Sequence, residues 1–259
     1  MKVGFVGSGN MAGGLARGWS AARNEPGAPE QMLFADADPQ RARELAEEVG
    51  GEAIEGNVAV ADASDLVVLA VKPNVLDEVA PDLVQSGTPV LSILAGTTLD
   101  ALHEALPGID LIRVMPNLGA QLRQAVLCVA YSKSTGEKER KRVAELLGLV
   151  GDVIELEEEL IDAATAIMGC SPGYLALMAE VLVEAGVREG LTTDQALRMV
   201  SGAMSATGGL LELHEPAALK RAVASPGGMT EAGLNALEER KMHETLQAAV
   251  DASLERVRK

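Results

Sequence analysis

The chain has 259 residues, 47% hydrophobic and 23% charged, an ordinary composition for one large or two modest globular domains with a real core. Its formal charge of -16, from 38 acidic against 22 basic residues, opposes binding to a nucleic-acid backbone or an anionic membrane surface, and two Phe, two Tyr and one Trp offer little for base stacking. Cys128 and Cys170 stand far apart with no paired-cysteine or Cys/His cluster, so neither a zinc site nor a disulfide framework is supported; no metal is expected, and both are read as buried small residues.

The first element is legible in "KVGFVGSGNMAGGLARGW" (2–19), a strand running into a helix with Gly7, Gly9 and Ala12 spaced as G-x-G-x-x-A at the junction. Gly7 permits the tight turn, Gly9 the close approach of a pyrophosphate, and Ala12 close packing of helix on strand, which together predict a dinucleotide site. The N-terminal stretch lacks the long apolar segment of a signal peptide, and runs such as "DLVVLAV" (65–71) are far too short to span a bilayer, so a cytoplasmic protein without a membrane partner is expected.

After the Pro/Gly-containing loop "RNEPGAPEQ" (23–31) comes a second strand, "MLFA", and then Asp36, the acid expected to take the ribose hydroxyls of the cofactor. A carboxylate there favours NADH over NADPH, whose 2′-phosphate would meet a like charge, although Arg41 and Arg43 stand close enough to oppose the preference. Asp36 and Asp38 each have the simpler reading of a cap on the helix that begins near Pro39, a reading that suits Asp38 better than Asp36. "LVVLAVKPNVL" then ends a buried strand at Val71 and turns through Lys72 and Pro73. "LSILAGTTLDAL" repeats that geometry with Ala95 and Gly96 at a strand end and Thr98 as a helix cap. Ligands of doubly wound sheets bind beyond the carboxyl ends of strands, where these turns are expected.

"LIRVM", "AVLCVA" and "DVIEL" complete a series of short apolar runs alternating with helical patterns, which predicts a largely parallel, doubly wound α/β sheet of Rossmann type over residues 1–156. From 157 to 259 the strand-like runs vanish and the pattern is all-α, with Thr192 and Gln195 spaced as a capping box. The helix expected over 173–190 is apolar around most of its circumference and must be buried; a second copy of the same domain is the simplest partner, so a homodimer or a multiple of dimers is expected. His103 and His243 are read as solvated helix residues.

A break, "ASPGGMTEAGL" (224–234), interrupts the helical half. Pro226, Gly227 and Gly228 stop one helix and Thr230 is a good cap for the next. The turn has two readings: plain interhelical punctuation, or an anion pocket in which N–H groups near Gly227 and Gly228 and the positive end of a helix hold a carboxylate.

In this order and spacing, "GFVGSGNMA", "AVKP", "AGTT", "RVMPN", "CSPGY" and "SPGGMT" resemble the pyrroline-5-carboxylate reductase family over essentially the whole chain. The resemblance implies reduction of the cyclic imine 1-pyrroline-5-carboxylate to L-proline by NAD(P)H, a dinucleotide domain, and a helical domain through which subunits dimerise. It implies that Val6, Gly7, Ser8, Gly9, Asn10, Met11, Asn57, Ala70, Val71, Lys72, Pro73, Leu94, Ala95 and Gly96 line the cofactor. Met229 and Thr230 would line the substrate, with the turn at Gly227 and Gly228 as the seat of its carboxylate, contributed by the partner subunit, and Thr230 at the ring nitrogen.

The chain departs from the family pattern on the substrate side. "MPNLG" (115–119) stands for M-P-N-T-P, "MGCSP" (168–172) for S-G-S-[GS]-P, and Leu213 for an acid, with His214 and Glu215 beside it. Leu118, Gly119, Met168, Cys170 and Leu213 thus leave open a related cyclic imine, or a dinucleotide-binding regulatory protein derived from the family. A hydroxyacid dehydrogenase, which has similar architecture, needs a catalytic lysine early in the helices, and there is none between Leu160 and Leu219.

Overall fold

The computed structural model describes residues 1–257. Eight strands, β1 (Lys2–Val6), β2 (Gln31–Ala35), β3 (Glu52–Ala53), β4 (Leu66–Leu69), β5 (Val90–Ser92), β6 (Leu111–Met115), β7 (Ala125–Tyr131) and β8 (Gly151–Glu155), form one sheet in the order β3-β2-β1-β4-β5-β6-β7-β8. All neighbours are parallel except β6 and β7. The connection between those two strands is too short for a crossover, so the chain can only turn back. β3, with two residues, is an edge strand that the apolar pattern did not reveal, and β5 is shorter than "PVLSILA" suggested.

The helices of this part are α1 (Asn10–Ala21), α2 (Pro39–Val49), α3 (Asn57–Asp62), α4 (Leu76–Ser86), α5 (Leu99–Ala105), α6 (Glu137–Gly148) and α7 (Ile161–Ala164). One apolar cluster joins α1, α2 and α6 to the sheet and a second joins α4 and α5 to its other side. Phe5, Phe34 and Trp19 lie together in the first cluster, with Phe5 stacked on Phe34 at 4.8 Å and the Trp19 indole N–H donating to the Leu146 carbonyl at 2.9 Å. Both phenylalanines and the tryptophan of the chain are therefore core residues, closed to any ligand. Asp38 caps α2 by accepting from the Gln40 N–H, and Thr98 caps α5 by accepting from that of Ala101, as their positions predict.

Two compact units divide the described residues, Met1–Gly169 together with Val257, and Cys170–Arg256. Residues just past 157 are helical yet belong to the sheet unit, because Arg113, 1% exposed in the middle of β6, pairs with Glu158 at 3.2 Å and Asp162 at 2.7 Å. The helical unit comprises α8 (Ser171–Arg188), α9 (Thr193–Leu211), α10 (Pro216–Val223), α11 (Met229–Glu239) and α12 (Met242–Val257). α9 starts with the expected reciprocal capping box of Thr192 and Gln195, and the Tyr174 hydroxyl lies 2.6 Å from that of Ser253, tying α8 to α12.

Within one copy no residue of α8 is buried; Leu175, Leu177, Val181 and Leu182 are each more than half exposed. The stretch Glu158–Arg188 is also long and apolar enough, by length and composition, to cross a membrane, unlike the short apolar runs of the sheet strands. Cys128 is buried, and burial pushes its thiol up, so it is an inert core group; Cys170 is only partly buried, contrary to expectation.

Candidate functional site

The chain leaves β1 through Gly7, whose φ of 98° lies in the left-handed region and whose N–H donates to the Ala35 carbonyl at 2.9 Å. A Cβ at Gly7 would stand 2.7 Å from the Ala70 carbonyl, so only glycine lets β1 and β4 end this close together. Gly9 is the N-cap of α1 and faces open space, with nothing within 4 Å of where its Cβ would be. No side chain caps α1 and its first turn carries no acid, which leaves its N–H groups and positive end available to an anion. The Ser8 hydroxyl is buried without a hydrogen-bond partner. An orphaned donor, an uncapped helix and a glycine open to solvent at one point are what a pyrophosphate requires.

The register places the rest of the predicted cofactor edge. Val6 pairs with Ala35 on one side and Leu69 on the other, and Leu69 pairs with Ser92, so parallel strands β2, β1, β4 and β5 end level with one another. Asp36, the residues 70–73 and the residues 94–96 therefore follow the same edge as the glycine loop. β1 is also where the strand order reverses, the switch point at which such sheets open a crevice.

Asp36, the acid expected to meet a ribose, is engaged within the chain. One of its oxygens accepts from the Ser8 N–H at 2.7 Å and the other from the Asp38 N–H at 2.9 Å, which fastens the glycine loop to the end of β2. Leu94 is buried, so only its backbone can face a ligand, whereas Ala95 and Gly96 are exposed. The Asn57 amide donates to Asp82 of α4 at 3.0 Å. A cavity of about 450 Å³ adjoins the loop, lined by Ser8, Gly9, Asn10, Gly13, Arg17 and Arg41 with part of α2. Arg17 is held in a two-point pair with Glu48, at 2.6 and 2.8 Å, and its guanidinium holds the Glu48 carboxyl below the usual range. Arg41 is more loosely engaged, 3.8 Å from Asp38, and Arg43 does not line the cavity.

A larger cavity, about 910 Å³, lies by the end of β7, which is the opposite edge because β7 runs antiparallel to β6. His103 lines it and is not the solvated residue its sequence context suggested. Its Nδ1–H donates to the Leu99 carbonyl at 2.7 Å, and its Nε2 lies 3.0 Å from the Ser132 hydroxyl. His243 is exposed as expected.

In the helical unit the turn at 225–230 is built differently from its sequence reading. Gly228 is the N-cap of α11 and Thr230 is the second residue inside the helix, so Thr230 caps nothing. Near Gly227 and Gly228, where N–H groups are expected to hold a carboxylate, the glycines' own are engaged: that of Gly228 donates to the Ser225 carbonyl at 2.9 Å and that of Gly227 to the Glu231 carboxylate at 2.7 Å. The groups left at the helix start are the first-turn N–H groups of Met229, Thr230 and Glu231, which have no acceptor inside the helix. Met229 is 95% exposed.

Among the departures from the family pattern, Met168 lies in a single π-helical turn (Thr165–Gly169) and its carbonyl accepts from the Asn117 amide at 3.2 Å. Leu118 and Leu213 are exposed. The Arg113, Glu158 and Asp162 cluster was missed by sequence reasoning; an arginine inside the apolar run "LIRVM" was its one visible sign.

Two family models match the chain. One, described as pyrroline-5-carboxylate reductase dimerisation, covers residues 158–259, and one described as NADP oxidoreductase, coenzyme F420-dependent, covers residues 2–96. A pyrroline-5-carboxylate reductase of Thermus thermophilus is 36% identical over 99% of this chain and 97% of its own length. Among solved structures, the 1-pyrroline-5-carboxylate reductase of Streptococcus pyogenes aligns with a TM-score of 0.90 at 29% identity, covering 100% of this chain and 98% of the other. The pyrroline carboxylate reductase of Plasmodium falciparum, with NADP bound, aligns with a TM-score of 0.87 at 26% identity, covering 100% and 97%.

Proposed function

The chain belongs to the pyrroline-5-carboxylate reductase family, and from that premise we infer that it reduces 1-pyrroline-5-carboxylate to L-proline with NAD(P)H. The observation that carries this reading is the glycine loop: an uncapped α1, an orphaned Ser8 hydroxyl and the open face of Gly9 converge at the switch point of the sheet. Those groups fit the pyrophosphate of a dinucleotide, and Asp36 fits its ribose. The cofactor, when bound, supplies the hydride.

The demands on this chain's own residues are modest. A protonated imine is already electrophilic, and its nitrogen carries the proton the product needs, so hydride addition at carbon requires positioning more than acid or base catalysis. The N–H groups of Met229, Thr230 and Glu231 hold the substrate carboxylate at the positive end of α11, and the Thr230 hydroxyl sits at the ring nitrogen. This turn serves the site of a partner subunit. The apolar surface of α8 forms an interface between copies, a reading that the match of residues 158–259 to a dimerisation model supports over a membrane span. Asp36 turns the 2′-phosphate away, so NADH gives the higher kcat/KM, with Arg41 limiting the margin.

The test is oxidation of NADH and NADPH on addition of pyrroline-5-carboxylate, in wild type and in Thr230→Ala. Turnover is expected, with kcat/KM lowered roughly 10- to 1,000-fold in the variant, as for one positioned hydrogen bond at a reacting centre, and cofactor affinity unchanged. No turnover by wild type, or turnover only of a six-membered cyclic imine carboxylate, would overturn the substrate assignment.

A further inference from the structure

The cavity of about 910 Å³ at the end of β7 lies on the edge of the sheet opposite the glycine loop. Two of its lining residues are a nucleophile and a base in contact. Ser132 directly follows β7 and is 4% exposed, and its Oγ lies 3.0 Å from Nε2 of His103, in the last turn of α5. The imidazole is fixed from its other side by the Leu99 carbonyl, 2.7 Å from Nδ1. A carbonyl can only accept, so the proton of the neutral ring sits on Nδ1 and the lone pair of Nε2 faces the serine. Ser134 meets the same Ser132 oxygen through its N–H at 3.3 Å and its hydroxyl at 2.9 Å, contacts that strengthen as the oxygen gains negative charge. The N–H of Lys133, the residue after the serine, has no acceptor among the described residues and is available to an oxyanion.

We propose that Ser132 and His103 form a second catalytic site, a nucleophile and its base, that hydrolyses small esters and thioesters which are neutral or carry an ammonium group. Ser132 Oγ bonds to the acyl carbon as its proton passes to His103 Nε2; the bond to the alcohol or thiol breaks, and that group leaves with the proton. Water then adds to the acyl carbon and gives a proton to Nε2, which returns it to Ser132 Oγ as the carboxylic acid departs. The charge of the lining sets the substrate class. Asp100, Asp110, Glu157 and Glu159 repel an anionic ester, while Arg140 already pairs with Glu155 and donates to the Thr135 carbonyl.

The test uses the full-length protein, with an alkyl fluorophosphonate to trap an activated serine and 4-nitrophenyl acetate to measure hydrolysis. Peptide mass mapping of the treated wild type is expected to place the adduct on Ser132. Repeated turnover of the acetate is expected, lowered roughly 100-fold in Ser132→Ala and in His103→Gln, the low end for a positioned general base. Acetylation of surface lysines, by contrast, gives no turnover and survives both substitutions. Unchanged Tm and dinucleotide affinity would show that the variants are folded, and the adduct on wild type decides without them. Measured against their rates with hydroxide, acetylthiocholine is expected to be a better substrate than the anionic S-acetyl-3-mercaptopropionate. No adduct on Ser132, or hydrolysis undiminished in either folded variant, would overturn the catalytic pair; the reverse order of the two thioesters would overturn the substrate class.

Discussion

The sheet unit and the helical unit bury their apolar residues in opposite ways. Leu66, Val67, Val68 and Leu69 of β4 are fully buried, and both faces of the sheet are covered by helices of the same chain. Among the described residues from Ser171 to Val257, by contrast, only Ala196 is buried. A helix as apolar as α8 with no buried residue cannot be the end state in water. The sheet unit is complete as one copy, whereas the helical unit has the surface of a core still waiting for its other half, in keeping with the dimerisation model that matches it.

The strongest way to break this contrast is a charge at the centre of the exposed apolar face. Leu177→Glu, at a position 60% exposed in one copy, is expected to behave as a core mutation, costing about 3 kcal/mol or more by burying an unpaired charge between subunits. Urea unfolding combined with sedimentation would show lost stability and dissociation. If Leu177 is ordinary surface, the change will stay within about 0.5 kcal/mol and the mass will not move.

Two glycines sharpen the contrast further, since Gly7 and Gly227 are both left-handed but only Gly7 is packed. Gly7→Ala adds a clash with the Ala70 carbonyl to the cost of its φ, and is expected to weaken dinucleotide binding roughly 100-fold, on the order of 3 kcal/mol. Gly227→Ala meets nothing, and its stability cost is expected to be the conformational term alone, about 1 to 2 kcal/mol, with cofactor affinity intact. Calorimetric titration with NADPH and thermal unfolding of both variants make the comparison; equal effects on cofactor affinity would remove it. The smallest effect is expected at Asp36: Asp36→Ser should shift the NADH to NADPH ratio of kcat/KM toward NADPH by roughly tenfold, about 1.4 kcal/mol. A wild-type preference of about tenfold or more for NADPH would contradict the role given to that carboxylate.

What the sequence made legible follows the same division. In the sheet unit, local signals sufficed: the G-x-G-x-x-A loop sits between β1 and α1, and Asp38 and Thr98 cap the helices their positions predict, because caps and glycine turns are decided within a few residues. Long-range pairing was not legible. Nothing near Arg113 announces Glu158 and Asp162, 45 and 49 residues later, and nothing near His103 announces Ser132. The turn at 225–230 shows a finer limit. The sequence announces a helix start there and points to Thr230 as its cap, threonine being a common one, but Gly228 occupies that position and Glu231 folds back to Gly227. The shift of two residues changes which N–H groups remain for a ligand.

Sedimentation of the wild-type protein across nanomolar to micromolar concentration tests most directly whether the helical unit is finished by a second copy. A dimer or a multiple of dimers is expected throughout the micromolar range, with any dissociation on dilution accompanied by loss of helical structure from the α8 unit and not from the sheet. A stable, fully helical monomer at micromolar concentration would contradict it.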